Sequence, residues 1–304
     1  MFMFFQVLSI FIDVVTPVFF LVFLGYFVGP KLDLDAKTLS RTAYYILVPC
    51  FVFNMLSSVN IKLAVAGQMI LYITATHILA AIAGYLIARL LVCSKEMTAA
   101  FVIIATFGNV GNLGLSLIDF RLGQAAQTSA TIYFVTIVLV AFVICVGISS
   151  WTRGTGLSAV LSVFKTPALI AMVPAMFFFT TDFEPPLFLS RITQLLGRAM
   201  IPVMLVTLGV QLSEIRKISF DIYVVIASLV RLIFAPLIAF GLAGVFALSG
   251  IEMRSGILQA SMPVAVLGSI IAIEYDITPE FVTTAVLFST LISLLTLTAL
   301  LYMV

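Results

Sequence analysis

Apolar residues dominate the chain in long runs that are separated by short polar connectors. Most of these runs reach the ~20 residues that an α-helix needs to cross the hydrocarbon core of a bilayer. We count ten such segments. They run roughly over 7–28, 42–58, 64–92, 97–118, 126–150, 166–181, 194–213, 220–248, 254–273 and 281–303. The pattern therefore predicts an all-α polytopic membrane protein with ten transmembrane helices.

The composition supports a membrane protein and excludes several other classes. Of the 304 residues, 63% are hydrophobic and 9% are charged, whereas soluble domains carry about 25% charged residues. The net charge of +2 comes without a basic patch, so nucleic acid is not an expected partner. A single histidine excludes a multi-histidine metal site. No hydrolase, metalloprotease or phosphate-loop motif is present, so we expect no enzyme activity, no metal and no cofactor.

A polar, glycine-rich stretch interrupts the fourth predicted span, Phe107-Gly108-Asn109-Val110-Gly111-Asn112-Leu113-Gly114. Glycine weakens a helix interior by roughly 0.5–1 kcal/mol relative to alanine, and hydrocarbon offers no partner for an asparagine amide. A second weak point, Ser261-Met262-Pro263, interrupts the ninth span. Broken helices at this depth are typical of binding sites in transporters. We predict that the two breaks face each other and form such a site.

Candidate binding residues are the polar or backbone-exposing positions within the spans. They are Asn109, Asn112, Gly108, Gly111, Pro263, Ser261, Gln259 and Asn54. The alternatives are structural: intramembrane amides also join helices, small residues also let helices pack closely, and prolines also kink helices without a ligand.

Three ionisable residues within spans are candidates for charge compensation or coupling. Arg231 either balances an anionic substrate or pairs with an acid such as Asp13. His77 either carries a coupling proton or packs as a neutral side chain.

Short matches between the two halves indicate an internal repeat. The pairs are Thr16-Pro17 with Thr166-Pro167 (166 − 16 = 150), Pro49 with Pro202 (202 − 49 = 153) and Glu96-Met97 with Glu252-Met253 (252 − 96 = 156). Their order and nearly constant offset predict two five-helix repeats, 1–151 and 166–304, joined by a connector at 152–165. Because five is odd, the second repeat enters the membrane from the opposite side, as in the inverted repeats of many transporters.

The distribution of Lys and Arg predicts the orientation. The connectors after odd-numbered spans carry nine basic residues and those after even-numbered spans carry five. The excess is cytoplasmic under the positive-inside rule. We therefore expect a multi-pass protein of the plasma (cell inner) membrane, with both termini outside and the 152–165 connector in the cytoplasm.

Several of these segments together resemble the auxin efflux carrier family, which includes the plant PIN-FORMED exporters and bacterial malonate transporters. The resemblance rests on Pro17 through Gly25, Phe107 through Leu115, Ile201-Pro202 through Leu212, Arg231 through Pro236, and Ala260-Ser261-Met262-Pro263. It implies a fold similar to the bile acid–sodium symporters, with helices 4 and 9 crossing, Asn109, Asn112 and Pro263 lining the site, and a homodimer. Family members often have a proline after the glycines of span 4, where this chain has Ser116.

The resemblance implies transport of organic anions, and helix N-termini at a break suit a carboxylate. The leading hypothesis is a carrier for an auxin-like acid or another small carboxylate that works by alternating access, as a uniporter or linked to protons. A sodium-coupled symporter is the alternative mechanism. A non-transporting receptor and an intramembrane enzyme are alternatives from other classes.

Overall fold

The computed structural model describes residues 7–57, 62–153, 167–181, 183–214 and 221–304. All regular elements in these ranges are helical, as the sequence predicts. In chain order they are α1 Val7–Leu32, α2 Ala36–Ser57, α3 Leu63–Leu90, α4 Lys95–Thr106, α5 Leu115–Leu122, α6 Gln127–Arg153, α7 Pro167–Thr180, α8 Leu187–Ser213, α9 Ile222–Val245, α10 Gly250–Ala260, α11 Val266–Glu274 and α12 Pro279–Met303. Within the described ranges, seven helices are long and apolar enough to cross a membrane. They are α1, α2, α3, α6, α8, α9 and α12. Of the 152–165 connector, residues 154–165 lie outside the described part of the chain.

Two of the predicted spans are divided. The fourth consists of α4, an extended segment at Phe107, a π-helical turn over Val110–Gly114, and α5. The ninth consists of α10, a non-helical segment, and α11, which begins at Val266. Both divisions fall where the sequence predicts them, because glycine and asparagine favour other conformations over a helix interior and Pro263 cannot donate a helical hydrogen bond.

The described helices contain four π-helical turns, and three of these turns lie just before a proline. The turns are Phe11–Val15 before Pro17, Ala43–Leu47 before Pro49, Val230–Phe234 before Pro236, and Val110–Gly114 before Ser116. A proline ring clashes with the carbonyl four residues earlier. The wider π-helical turn moves that carbonyl aside. At the fourth turn the hydroxyl of Ser116 donates to the carbonyl of Asn112 at 2.7 Å, so a side chain bonds the carbonyl that a proline would leave unpaired.

The helices pack as two groups. In the first, α1 packs along α8, and α2 packs against α7 and α8. A methyl group at Gly209 of α8 would overlap the carbonyl of Val22 in α1 and lie 2.6 Å from the amide nitrogen of Tyr26. The second group contains the two broken helices, α4 with α5 and α10 with α11, and the helices α3, α6, α9 and α12 that pack around them. The two groups meet where α2 and α8 approach the interrupted segments.

Candidate functional site

The two interruptions lie against each other as a short antiparallel bridge between Gly108 and Val264. The amide of Asn109 donates to the carbonyl of Pro263 at 2.7 Å, and the amide of Ala265 donates to the carbonyl of Phe107 at 2.8 Å. The prediction that the breaks face each other is therefore confirmed. The bridge satisfies backbone groups that hydrocarbon would leave unpaired.

Four helix ends meet where the two interrupted segments lie against each other, a place that we call the crossing. Two of these ends carry negative partial charge and two carry positive partial charge. The C-termini of α4 and α10 present unpaired carbonyl groups, and each end carries about −0.5 of an elementary charge. The π-helical turn Val110–Gly114 and α11 at Val266 begin there, and these ends carry about +0.5 each. The amide of Val110 donates to the carbonyl of Gly108 at 2.8 Å, whereas the amide groups that follow it and the first ones of α11 have no acceptor within their own helix. The crossing thus offers one site for a cation and another for an anion.

Arg231 of α9 occupies the cation side and is fully buried. Its guanidinium donates to the carbonyl oxygens of Met262 at 2.8 Å and Ala260 at 2.9 Å. It also donates to those of Ala105 at 3.1 Å and Thr106 at 3.5 Å. All four acceptors are backbone carbonyls at or just beyond the C-termini of α10 and α4. The guanidinium therefore joins the two broken helices.

Asp13, the acid suggested as a partner for Arg231, lies elsewhere. It is exposed and accepts a hydrogen bond from the hydroxyl of Ser9 at 2.7 Å. The pairing of Arg231 with Asp13 is therefore absent from the described structure, because Arg231 is satisfied by main-chain oxygens instead.

His77 of α3 is fully buried beside the same helix end. Its Nδ1 lies 3.0 Å from the carbonyl oxygen of Thr106, and its Nε2 lies 2.8 Å from the hydroxyl of Tyr133. Because a carbonyl can only accept, Nδ1 carries a proton. Complete burial, with the Arg231 guanidinium at the same carbonyl, favours the uncharged ring, in which Nε2 accepts from the tyrosine hydroxyl. This arrangement is that of a packed, neutral histidine. A role for His77 in proton coupling stays a prediction.

A cavity of about 260 Å³ lies beside the crossing, between the two helix groups. Asn109 contributes to its wall and is only 4% exposed, and its amide nitrogen Nδ2 has no hydrogen-bond partner among the described residues. Asn112 also lines the cavity and is half-buried. Aromatic and aliphatic side chains of α6 and α8, including Phe134 and Met204, form much of the remaining wall. The cavity therefore combines amide groups and helix N-termini with apolar walls.

The cavity includes four of the eight candidate binding residues. Gly108, Asn109, Gly111 and Asn112 contribute to the lining. The other four have different surroundings. Pro263 accepts from the Asn109 amide, Ser261 donates its hydroxyl to the carbonyl of Ile257 at 2.7 Å, and Gln259 is fully buried, with Nε2 3.4 Å from the carbonyl of Ala130. Asn54 lies in α2 outside this lining. A binding role for any of the eight stays a prediction.

The sequence does not single out the polar groups that the first helix group contributes. Ser40 and Tyr44 of α2 and Thr207 and Gln211 of α8 line the same cavity. Nε2 of Gln211 donates to the hydroxyl of Ser40 at 2.9 Å, while its Oε1 is buried and has no partner in the described ranges. An amide within the predicted span 194–213, near its end, was the available signal for Gln211.

A wider vestibule of about 650 Å³ adjoins the cavity and shares Ser40, Gln211, Val266 and Ile270 with it. It lies where α2 begins and α8 ends, and it adds the basic residues Lys37 and Arg41 and the acidic residues Glu214 and Glu280. Among the described residues, no group of three or more His, Cys, Asp or Glu side chains is placed to hold a metal ion.

Comparisons with known proteins identify relatives of the chain. The chain is 28% identical over 293 residues to an uncharacterized transporter of Methanothermobacter thermautotrophicus, with 94% of the chain and 95% of the relative covered. It is 26% identical over 309 residues to a Rhizobium meliloti protein named "Putative malonate transporter", with 95% and 94% covered. A Methanocaldococcus jannaschii transporter, also uncharacterized, is 25% identical over 301 residues, with 93% and 95% covered.

The sequence profile of a family described as "Membrane transport protein" matches residues 10–156 and 149–301. These matches cover nearly the whole chain, and the names of the relatives are those of transporters rather than enzymes. The chain therefore belongs to the membrane transport protein family and is a multi-pass integral membrane protein.

Proposed function

We propose that the protein carries a small organic anion across the membrane by alternating access, and that the anion binds in the cavity beside the crossing. The observation that carries this proposal is the separation of charge at the crossing. The helix C-termini are turned toward Arg231, while the N-terminal residues Val110 and Val266 line the cavity. Unpaired amide groups at a helix N-terminus favour a carboxylate.

The size and walls of the cavity restrict the substrate. A volume of about 260 Å³ lies below the ~300–1,000 Å³ of pockets for drug-sized ligands. Asn109 and Asn112 provide donors for carboxylate oxygens, and the apolar walls accommodate a short carbon skeleton. A dicarboxylate such as the malonate in the name of the Rhizobium relative meets these limits. A compact aromatic acid of the auxin type is the second member of the class to be tested.

The backbone bonds at the crossing support an inverted repeat of two five-helix units. Glu96 and Glu252 differ by 156, and the bridged residues Gly108 and Val264 differ by the same number (264 − 108 = 156). In this register Pro263 corresponds to Phe107 and Ala265 to Asn109. The two hydrogen bonds of the bridge are thus equivalent under a two-fold axis. A two-fold axis in the membrane plane is the expected relation between inverted repeats.

The vestibule supports an assignment of the accessible side. It opens near Lys37 and Arg41 in the first turns of α2, on the side that carries the excess of basic residues. Under the positive-inside rule this side is cytoplasmic, so the described conformation is open to the cytoplasm and both termini are outside. Alternating access would then move the crossing and its packed helices past α1, α2, α7 and α8. The homodimer stays a prediction.

Uptake into liposomes tests the function. The protein is reconstituted and exposed to labelled malonate, other small carboxylates and an indole acid, with imposed pH and Na⁺ gradients. We expect saturable accumulation of chemically unmodified label. Intact label excludes an enzyme, and accumulation excludes a receptor that only binds.

Asn112→Ala tests the site. Loss of one hydrogen bond to a charged group costs about 1.5–3 kcal/mol, so we expect the apparent affinity to fall roughly tenfold to a hundredfold. Gln194→Ala is the matched control, because it removes an exposed side-chain amide from a position in α8 outside the cavity and should leave uptake unchanged. Normal uptake by Asn112→Ala would place the binding site elsewhere.

A further inference from the structure

The crossing gathers main-chain oxygens in a way that suits a cation. The carbonyls of Ala105 and Thr106 belong to the end of α4, and those of Ala260 and Met262 belong to the end of α10 and the segment after it. In broken-helix transporters, unwound carbonyls and the C-terminal ends of half-helices are the groups that coordinate Na⁺. Here all four of these oxygens accept hydrogen bonds from the single side chain of Arg231.

The charges balance without a further ion. Two helix C-termini at about −0.5 each sum to about −1, and the guanidinium carries +1. Burial of an isolated cation is costly, but Arg231, which is fully buried, has four acceptors and two helix ends to compensate it. A sodium ion among the same oxygens would compete with the guanidinium for its acceptors and be repelled by its charge.

The surrounding residues are shaped to admit this side chain. Arg231 lies within the π-helical turn Val230–Phe234 of α9. Gly108 gives the guanidinium room, because a methyl group at that position would overlap Nη2 and lie 2.8 Å from Cζ. The neutral His77 donates a further hydrogen bond to the carbonyl of Thr106. The carbonyl oxygens at the ends of α4 and α10 are therefore paired with donors from the protein itself.

We infer that Arg231 is a tethered cation that takes the place of a coupling sodium ion at the crossing, so that transport is independent of Na⁺. This inference rests on the proposed function, because it specifies the coupling of the same site. Arg231 does not line the cavity. Its role is to position the two broken helices and to fix the charge at their ends.

The experiment separates charge from packing by chemical rescue. Arg231→Ala is reconstituted, and uptake of labelled malonate is measured with millimolar guanidinium chloride, with the neutral isostere urea, or with neither. We expect a fall of at least about tenfold, the ratio that corresponds to about 1.4 kcal/mol, and recovery with guanidinium but not with urea. Arg121→Ala is the matched control, because Arg121 also donates to a helix-end carbonyl, that of Leu301 at 3.2 Å, but is exposed. Its uptake should not respond to guanidinium.

A second measurement does not need a substrate. The thermal unfolding midpoint of Arg231→Ala in detergent should rise with guanidinium chloride and stay unchanged with urea, whereas the midpoint of the wild type should be the same in NaCl and in N-methylglucamine chloride. If no organic acid is transported, the proposed function fails, and these midpoints still decide the present inference. If Arg231→Ala does not fold, the wild-type midpoints and Arg231→Lys decide it. Lysine keeps the charge with a single ammonium group, so its midpoint should also be the same in the two salts.

Three results would overturn the inference. The first is wild-type uptake that an inward Na⁺ gradient accelerates at clamped membrane potential. The second is a Na⁺-specific rise in the unfolding midpoint of the wild type or of Arg231→Lys. The third is an equal response of Arg231→Ala to guanidinium and urea, including no response to either.

Discussion

Replacement of Gly108 by alanine is the sharpest test of the crossing. The added methyl group would overlap Nη2 of Arg231 and lie 2.8 Å from Cζ. Nη2 donates to the carbonyl of Ala260 at 2.9 Å, and relief of the overlap requires the guanidinium to move away. The substitution therefore acts on the bond that joins α9 to the end of α10.

The expected cost follows from the bond that is lost. A hydrogen bond to a charged group contributes about 1.5–3 kcal/mol, and a buried carbonyl left without a partner adds a penalty of about 1–3 kcal/mol. A small local movement can give the carbonyl of Ala260 another donor and so reduce the penalty. We therefore expect Gly108→Ala to destabilise the protein by about 2–4 kcal/mol. The cost should be local to the crossing, so α1 and α8 should remain packed.

Two glycines provide a graded comparison. A methyl group at Gly111 would lie 2.9 Å from Cε2 of Phe134, the end of a side chain that can rotate, so Gly111→Ala should cost less. A methyl group at Gly147 would have no neighbour within 4 Å. Because glycine weakens a helix interior by about 0.5–1 kcal/mol relative to alanine, Gly147→Ala should be neutral or stabilising. The stability of the three variants is compared by the fraction of each protein that stays monodisperse after heating in detergent. Equal stability of Gly108→Ala and Gly147→Ala would refute the close approach of Arg231 to the bridge.

Two further predictions concern local structure. Ser116→Pro should keep most of the stability and uptake of the wild type, because the π-helical turn before it matches the turns before Pro17, Pro49 and Pro236. Leu117→Pro, one residue later, should cost about 3 kcal/mol or more. Thr38 lowers the pKa of Asp35 by donating its hydroxyl and amide to the carboxylate at the start of α2. The stabilisation is therefore present above the unfolded pKa of about 3.9 and is lost as the pH falls through the lower folded pKa. Unfolding midpoints between neutral and acid pH should show this loss in the wild type and not in Asp35→Asn.

The sequence predicts the positions of the breaks because their cause is local. Glycine, asparagine and proline weaken a helix wherever they stand, so the residues at 107–112 and at Pro263 mark both interruptions. Helix ends are less predictable from hydropathy. The span predicted to begin at about 42 begins at Ala36, because Asp35 caps a polar first turn that hydropathy does not include.

The partners of Arg231 could not be predicted in the same way. A buried arginine in a span suggests an acid, because carboxylates are the partners that residue types reveal. The actual acceptors are the carbonyls of Ala105, Thr106, Ala260 and Met262. Every residue has a carbonyl, so its availability depends on where helices end in three dimensions. The same limit applies to Ser40 and Gln211, which reach the cavity only because the first helix group packs beside the crossing.

The proposed repeat relates the backbone at the crossing more closely than its side chains. In the register of 156, Thr106 corresponds to Met262 (106 + 156 = 262), and each carbonyl accepts a side-chain bond, from His77 in α3 and from Arg231 in α9 respectively. The first donor is neutral and the second is charged. A second arginine in place of His77 would bring the charge at the two helix ends from about zero to about +1, with no further acceptor to offset its burial. An inverted backbone can therefore supply two equivalent cation sites, but electroneutrality allows one fixed charge. Under the proposed repeat, the asymmetry between His77 and Arg231 follows from this requirement, although the two helices that carry them would be equivalent.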